Sequence, residues 1–195
     1  MEIQPVVLTG SIVRLEPLSE KHIADLTVAG QDESIWQYML YGMIATEEGM
    51  RNWVGDILNR QARGTDLPFA VIHLDSGRAI GGTRFIDIRS QHRGVEIGGT
   101  WYATAYQRTA VNTECKYLLL CHAFEVWQCI RVQFKADLRN ERSQRALERI
   151  GAMREGVLRN HMILLDGTIR HSVYYSILDS EWPIVKRGLE EKLKD

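Results

Sequence analysis

Three extended runs follow one another with only short turns between them, and this limits the folds open to the chain. Phe69 to Leu74 meets the turn Asp75-Ser76-Gly77-Arg78, Ala79 to Ile88 follows, and Gly94 to Tyr102 completes the series. Strands joined so closely pair antiparallel, because a parallel neighbour needs a long crossover. Before the series, Ile12 to Pro17 reads as a short strand that Pro17 ends. Ser19 then caps a helix, with Leu18 and Ile23 placed as a hydrophobic staple. Thr46 opens a second helix in which Met50, Trp53, Val54, Ile57 and Leu58 keep helical spacing.

After the series, Val111 to Trp127 is predicted as a helix with Val111, Cys115, Leu118, Leu119 and Val126 on one face. Strand character returns where Val132, Phe134, Ala136 and Leu138 alternate with Arg131, Gln133, Lys135 and Asp137. Arg139 to Ile150 is a short charged helix stopped by Gly151. Met153 to Leu165 and Thr168 to Leu178 flank Asp166-Gly167, a hairpin turn. Glu190 to Asp195 reads as a frayed polar terminus. The order β-α-α-β-β-β-α-β-α-β-β contains no repeat and no linker. It predicts an α+β chain, residues 1–195 forming a single domain with one mixed, mostly antiparallel sheet flanked by helices.

Charge and composition exclude several partners. A formal net charge of -1 offers no electrostatic case for nucleic acid. No apolar run approaches the roughly 18 residues of a membrane helix. The N-terminus lacks the basic and apolar regions of a signal peptide, so a cytoplasmic protein is expected. Cys115, Cys121 and Cys129 form no CxxC pair, and an odd number argues against a disulfide framework. They read as small buried residues rather than reactive thiols. The histidines at 22, 73, 92, 122, 161 and 171 show no HxxxH or HxH spacing, so no metal site is expected. His73 falls within an apolar strand and reads as a hydrogen-bonded core residue.

The segment Tyr106-Gln107-Arg108-Thr109-Ala110-Val111-Asn112-Thr113-Glu114 carries the chemistry. It joins the strand end Gly99-Thr100-Trp101-Tyr102 to the amphipathic helix. The first amides of a helix lack intrahelical partners and face a positive dipole end, so they bind anions. A phosphate-bearing cofactor is placed to lie along both elements. The pairs Gly81-Gly82 and Gly98-Gly99 suggest bulges or a close backbone approach.

With these residues in place, the chain resembles the GNAT superfamily of acetyl-CoA-dependent N-acetyltransferases. It is most similar to the branch of ribosomal-protein N-terminal acetyltransferases, the Rim type. The likeness runs from Val13-Arg14-Leu15-Glu16-Pro17-Leu18 to Ser176-Ile177-Leu178-Asp179-Ser180-Glu181-Trp182. Its most specific stretch is Asp137 to Ala152, with Asn140 three residues before Ser143 and Gly151 closing the helix, followed by Glu155-Gly156. The superfamily's phosphate loop, Gln/Arg-x-x-Gly-x-Gly/Ala, is met by Gln107 but carries Ala110 and Asn112 in place of small residues. A Cβ at Ala110 restricts positive φ, and Asn112 adds bulk where pyrophosphate approaches. Asn112 and Thr113 are placed to compensate by capping the helix or bonding phosphate.

The resemblance implies the following site. Two strands splay apart to admit pantetheine, whose amides pair with backbone near Thr100, Trp101 and Tyr102. The amides of Arg108, Thr109, Ala110, Val111, Asn112 and Thr113 hold the pyrophosphate, and Asn140 bonds the cofactor near its thiol. The amine attacks the thioester directly, and a backbone N–H at the strand bulge stabilises the oxyanion. Glu96 is the candidate base, with a salt-bridged strand carboxylate as the competing reading. Leu147 stands where many relatives carry a proton-donating Tyr, so Ser143 is the candidate stabiliser of the leaving thiolate; capping of the charged helix is its alternative role. Arg139, Arg142, Arg145 and Arg149 either meet the ribose phosphate or form a solvated face. Trp36, Tyr38 and Tyr41 either touch the acceptor or pack beneath their loop.

An α-amine with a pKa of about 8 is roughly 10% neutral at pH 7, whereas a lysine is neutral to only about 0.04%. A protein N-terminal α-amine is therefore the favoured acceptor, and a small-molecule amine the alternative. A catalytically silent acyl-CoA-binding domain is the rival from another class. Many relatives dimerise, so a homodimer is the assembly the resemblance allows.

Overall fold

A computed structural model describes residues 1–194. Among them, eight strands form one sheet in the order β1-β2-β3-β4-β5-β6-β8-β7. The strands are β1 (Leu8–Thr9), β2 (Val13–Pro17), β3 (Leu67–His73), β4 (Ala79–Arg89), β5 (Gly94–Tyr102), β6 (Arg131–Asp137), β7 (Met153–Ile163) and β8 (Ile169–Leu178). Every pairing is antiparallel except β5 with β6. The helices are α1 (Ile23–Ala29), α2 (Glu47–Ala62), α3 (Ala110–Cys121), α4 (Glu141–Arg149) and α5 (Trp182–Lys192). The mixed, mostly antiparallel α+β architecture is as expected.

Helices cover both faces of the sheet, so its central strands are apolar on both sides. On β3, Leu67, Phe69 and Val71 join a core with Cys115 and Leu119 of α3. The alternate residues Ala70 and Ile72 join a second core with Leu26 of α1 and Met50, Trp53, Val54 and Ile57 of α2. Thr46 caps α2 through Oγ1, which accepts the Gly49 amide at 3.0 Å.

Four expectations need correction. The C-terminal segment is not frayed: α5 runs to Lys192, buries Trp182 and Leu189, and Glu190 accepts a 2.9 Å bond from Tyr117. Its apolar stripe is short, and Asp195 lies outside the described residues. The helix predicted to Trp127 ends at Cys121 and continues as a π turn over His122–Val126. That turn rotates Val126 out to solvent, where it is 65% exposed. Leu138 leaves the buried side of β6 because the strand ends at Asp137. His73 packs on Tyr106, but its buried Nδ1 has no hydrogen-bond partner. The three cysteines are free, and burial pushes their thiols up to about 12 at Cys115 and about 11 at Cys121 and Cys129.

A bulge in β5 sets up the site. Gly82 pairs with Trp101 and Arg84 with Gly98, so β5 carries one extra residue against β4. Gly99 takes φ +57 there, and an added Cβ would lie 2.9 Å from Arg84 Nε. The extra residue exchanges faces: Val95, Ile97 and Tyr102 belong to the α3-side core, whereas Trp101 belongs to the α1/α2 side.

Candidate active site

The sheet opens just ahead of the bulge. β5 and β6 pair only at Gly94 with Arg131, Val95 with Val132 and Glu96 with Gln133. From Ile97 onward the β5 edge has no partner on β6. A cavity of about 660 Å³ fills the opening, lined by β5 from Glu96 to Tyr102, the loop Gln107–Thr109, and Asn140 and Ser143 of the α4 segment. An unpaired strand edge facing a cavity leaves backbone donors and acceptors for a ligand to satisfy.

One mouth of the cavity is the loop before α3. Gln107 braces it twice: Nε2 donates to the Tyr102 carbonyl at 3.1 Å, and Oε1 accepts from Arg142 at 2.7 Å. The left-handed residue of the loop is Arg108, at φ +62, while Ala110 is the first helical residue. The alanine therefore brings none of the strain expected of it. Thr109 is the N-cap: its hydroxyl donates to the Tyr106 carbonyl at 2.8 Å and accepts the Val111 amide at 3.3 Å. The amides of Arg108 and Thr109 have no acceptor among the described residues. Asn112 is held aside by the Tyr102 hydroxyl, which donates to its Oδ1 at 3.3 Å. Val111 and Thr113 are buried, and Arg149 donates to the Thr113 hydroxyl at 3.2 Å. Of the candidate phosphate-loop residues, Gln107, Arg108, Thr109 and Asn112 line the cavity, whereas Ala110, Val111 and Thr113 do not.

Arginines surround this mouth. Arg108, Arg142, Arg145 and Arg149 line the cavity while remaining exposed, and Arg145 pairs with Glu141 at 3.3 Å on the helix surface. Arg139 instead pairs with the buried Asp137 at 2.8 Å. Asn140 caps α4: its Oδ1 accepts the Ser143 amide at 3.0 Å, leaving Nδ2 to donate elsewhere. The Ser143 hydroxyl has no partner among the described residues. Loop amides, arginines and an open strand edge together fit a nucleotide carrying an amide-containing arm.

The other mouth lies under the loop after α1. Trp36 is buried against Trp101, and so packs beneath the loop, while Tyr38 and Tyr41 line the cavity. Glu96 reaches this side and is only 3% exposed. Gln133 Nε2 donates to its Oε2 at 3.0 Å, and Lys135 forms a 3.2 Å ion pair with Oε1. The salt-bridged reading is thus structurally correct, and the carboxylate still lines the cavity.

Arg84, Arg170 and Lys116 also line the cavity and were not among the candidates. Arg84 donates to the Tyr41 hydroxyl and lies 3.1 Å from Asp66, too poorly aligned for a hydrogen bond. Burial pushes its guanidinium down to about 10. Arg170 donates to the Tyr38 carbonyl at 3.3 Å. Lys116 extends from α3 to the bulge, where Nζ donates to Thr100 Oγ1 at 2.7 Å. A usable signal existed for Lys116, which follows Asn112 by one helical turn and so shares its face.

Comparison with known proteins agrees with this geometry. Residues 13–153 match the profile of the acetyltransferase (GNAT) domain. A crystal structure from T. thermophilus, provisionally assigned as an acetyltransferase, is 39% identical with a TM-score of 0.90, covering 99% of this chain and 100% of that one. YdaF of Bacillus subtilis (strain 168), provisionally a ribosomal N-acetyltransferase, is 25% identical over 169 residues, 86% of this chain and 90% of that protein. RimJ of Mycobacterium smegmatis, solved in complex with CoA-disulfide, shares the fold at 19% identity and a TM-score of 0.78, over 97% of this chain and 93% of that one. The splayed strands, the loop before α3 and a profile match over most of the sequence agree: this chain is a GNAT-family acetyltransferase.

Proposed function

We propose that the chain transfers the acetyl group of acetyl-CoA to a primary amine, with a protein N-terminal α-amine as the favoured acceptor. The observation that carries this reading is the loss of β5–β6 pairing after Glu96, beside a loop with free amides. The β5 edge from Gly98 to Tyr102 would pair with the amides of the pantetheine arm. The Arg108 and Thr109 amides, with Arg142, Arg145 and Arg149, would hold the phosphates. Bound acetyl-CoA supplies an acyl thioester, and the protein's task is to place an amine against it and move protons.

Glu96 takes the amine's proton, held in place by Gln133 and Lys135. An α-amine needs only a weak base, because it is already partly neutral near pH 7. YdaF, provisionally a ribosomal N-acetyltransferase, supports the same acceptor class. Free-thiol release with a panel of N-terminal peptides and free amines tests the reading, with mass spectrometry locating the acetyl group. Acetylation of peptide α-amines is the expected result. Turnover only with small amines replaces the acceptor, and no release with any amine leaves a silent acyl-CoA-binding domain.

Ser143 would stabilise the leaving thiolate with its unpartnered hydroxyl. Ser143→Ala is expected to lower kcat by about fivefold, the worth of one hydrogen bond, with little change in KM for acetyl-CoA. An unchanged kcat removes this role, since Asn140 and not the Ser143 hydroxyl caps α4.

A further inference from the structure

We propose that Lys116 is the proton donor to the departing sulfur, a catalytic residue in the floor of the strand gap; this rests on the acetyl-transfer reading above. Lys116 is 5% exposed and lines the cavity. Its ammonium donates to Thr100 Oγ1 at 2.7 Å and meets no carboxylate among the described residues. A buried ammonium without a counter-ion is costly, so this position is poorly explained by stability. It is well explained by an anion that forms beside it during turnover.

Among the described residues of the floor, Lys116 is the group that gives up a proton most readily. β4 contributes Thr83, whose hydroxyl shares a 2.8 Å bond with Thr100. β5 contributes Thr100 and Tyr102, whose buried phenol is held neutral by desolvation. On α3, burial keeps Cys115 a neutral thiol, and Glu114 is turned away to the amides of Ser11, Ile12 and Val13. The α4 segment contributes Asn140, Ser143 and Leu147, none of which is an acid, and Arg149, which does not release a proton. Burial pushes Lys116 down to about 8, close to an ordinary thiol at about 8.5. Donor and acceptor of matched pKa exchange a proton with little driving force either way, which suits general acid catalysis.

The step balances. The amine nitrogen bonds to the acetyl carbon, and its excess proton leaves through Glu96. The carbon–sulfur bond breaks with its electron pair on sulfur, which takes a proton from Lys116 Nζ. Lys116 regains a proton from solvent once the thiol has left.

The test uses Lys116→Met and Lys116→Arg in the full chain. Methionine keeps the length without a proton, and arginine keeps the charge but does not release one. Both variants are expected to lose kcat by about 30-fold, below the usual general-acid factor because a thiolate leaves readily. Both should also lose a basic limb in the pH profile near pH 8. Independently of turnover, thiolate absorbance of bound CoA reports the sulfur's neighbour. In the wild type the bound thiol should titrate about one unit lower than in Lys116→Met, as beside an opposite charge. Variants that keep the wild-type kcat or the basic limb overturn the proposal. So does CoA that binds normally but titrates alike in both proteins, with acetyl transfer itself intact. Failure of the wild type to bind CoA at all removes the acetyl-transfer reading, and Lys116 with it.

Discussion

Glu96→Gln is expected to lower kcat by about 100-fold at neutral pH while leaving the fold in place. Glutamine keeps the size and an oxygen for Gln133 Nε2 to donate to, but it cannot take the amine's proton. Lys135 loses its ion partner, yet at 18% side-chain exposure it can turn to water, so the stability cost is small. The measurement is the pH dependence of kcat/KM, where the acidic limb reports the base and the amine together. Loss of the base should leave a rate that keeps rising with pH as the free amine fraction grows. Thermal melting within a few degrees of the wild type separates chemistry from folding. A variant with the wild-type rate and an unmoved acidic limb transfers the role to another group or to water.

Glu114→Ala is expected to cost about 4 kcal/mol of stability, the largest loss predicted for any single side chain here. Glu114 is 3% exposed and ties α3 to the start of β2. Its Oε1 accepts the Ser11 amide at 2.8 Å and the Ser11 hydroxyl at 2.7 Å. Its Oε2 accepts the amides of Ile12 and Val13, each at 2.7 Å. Alanine leaves these donors without acceptors, and each buried one costs about 1–3 kcal/mol, with water recovering part. Gly10 belongs to the same device, since a Cβ there would lie 2.3 Å from the Glu114 carboxyl carbon. For a chain of this size the melting temperature should fall by roughly 10 °C. Calorimetry or urea unfolding with an unchanged slope checks it. A loss below about 1 kcal/mol would show that the tie is replaceable by solvent.

Acetyl-CoA binding should weaken in the same variant, because the opening turns of α3 carry both the tie and the loop. Glu114, four residues after the first helical residue Ala110, accepts the bonds from Ser11, Ile12 and Val13. Stability and site are therefore coupled through one helix, whereas Glu96 stands on a strand away from that coupling.

What could be read from the residues alone was local. The strand series from Phe69 to Tyr102, the capped α2 and the charged α4 follow from periodicity and punctuation, because neighbours in sequence set those patterns. The loop from Gln107 to Thr109 was legible for the same reason, as a turn that opens a helix. Where reading by resemblance raised a difficulty, at Ala110, the structure moved the left-handed residue to Arg108. The short stripe of α5 and the π turn after Cys121 escaped because tertiary packing, more than propensity, stabilises them.

The cavity was decided only by tertiary structure. Its walls come from β5 and β6, which part after Glu96, and no property of either strand alone states where they part. A bulge that exchanges faces depends on register with β4, and register is a relation between distant segments. The same holds for Lys116. In the sequence it is an ordinary polar residue of an amphipathic helix; in the fold it is a cation enclosed beneath Thr100 with no carboxylate against it among the described residues. Pattern specifies which residues prefer to be covered, while what covers them, and which charge is left unpaired, is fixed by the packing of segments far apart in the chain.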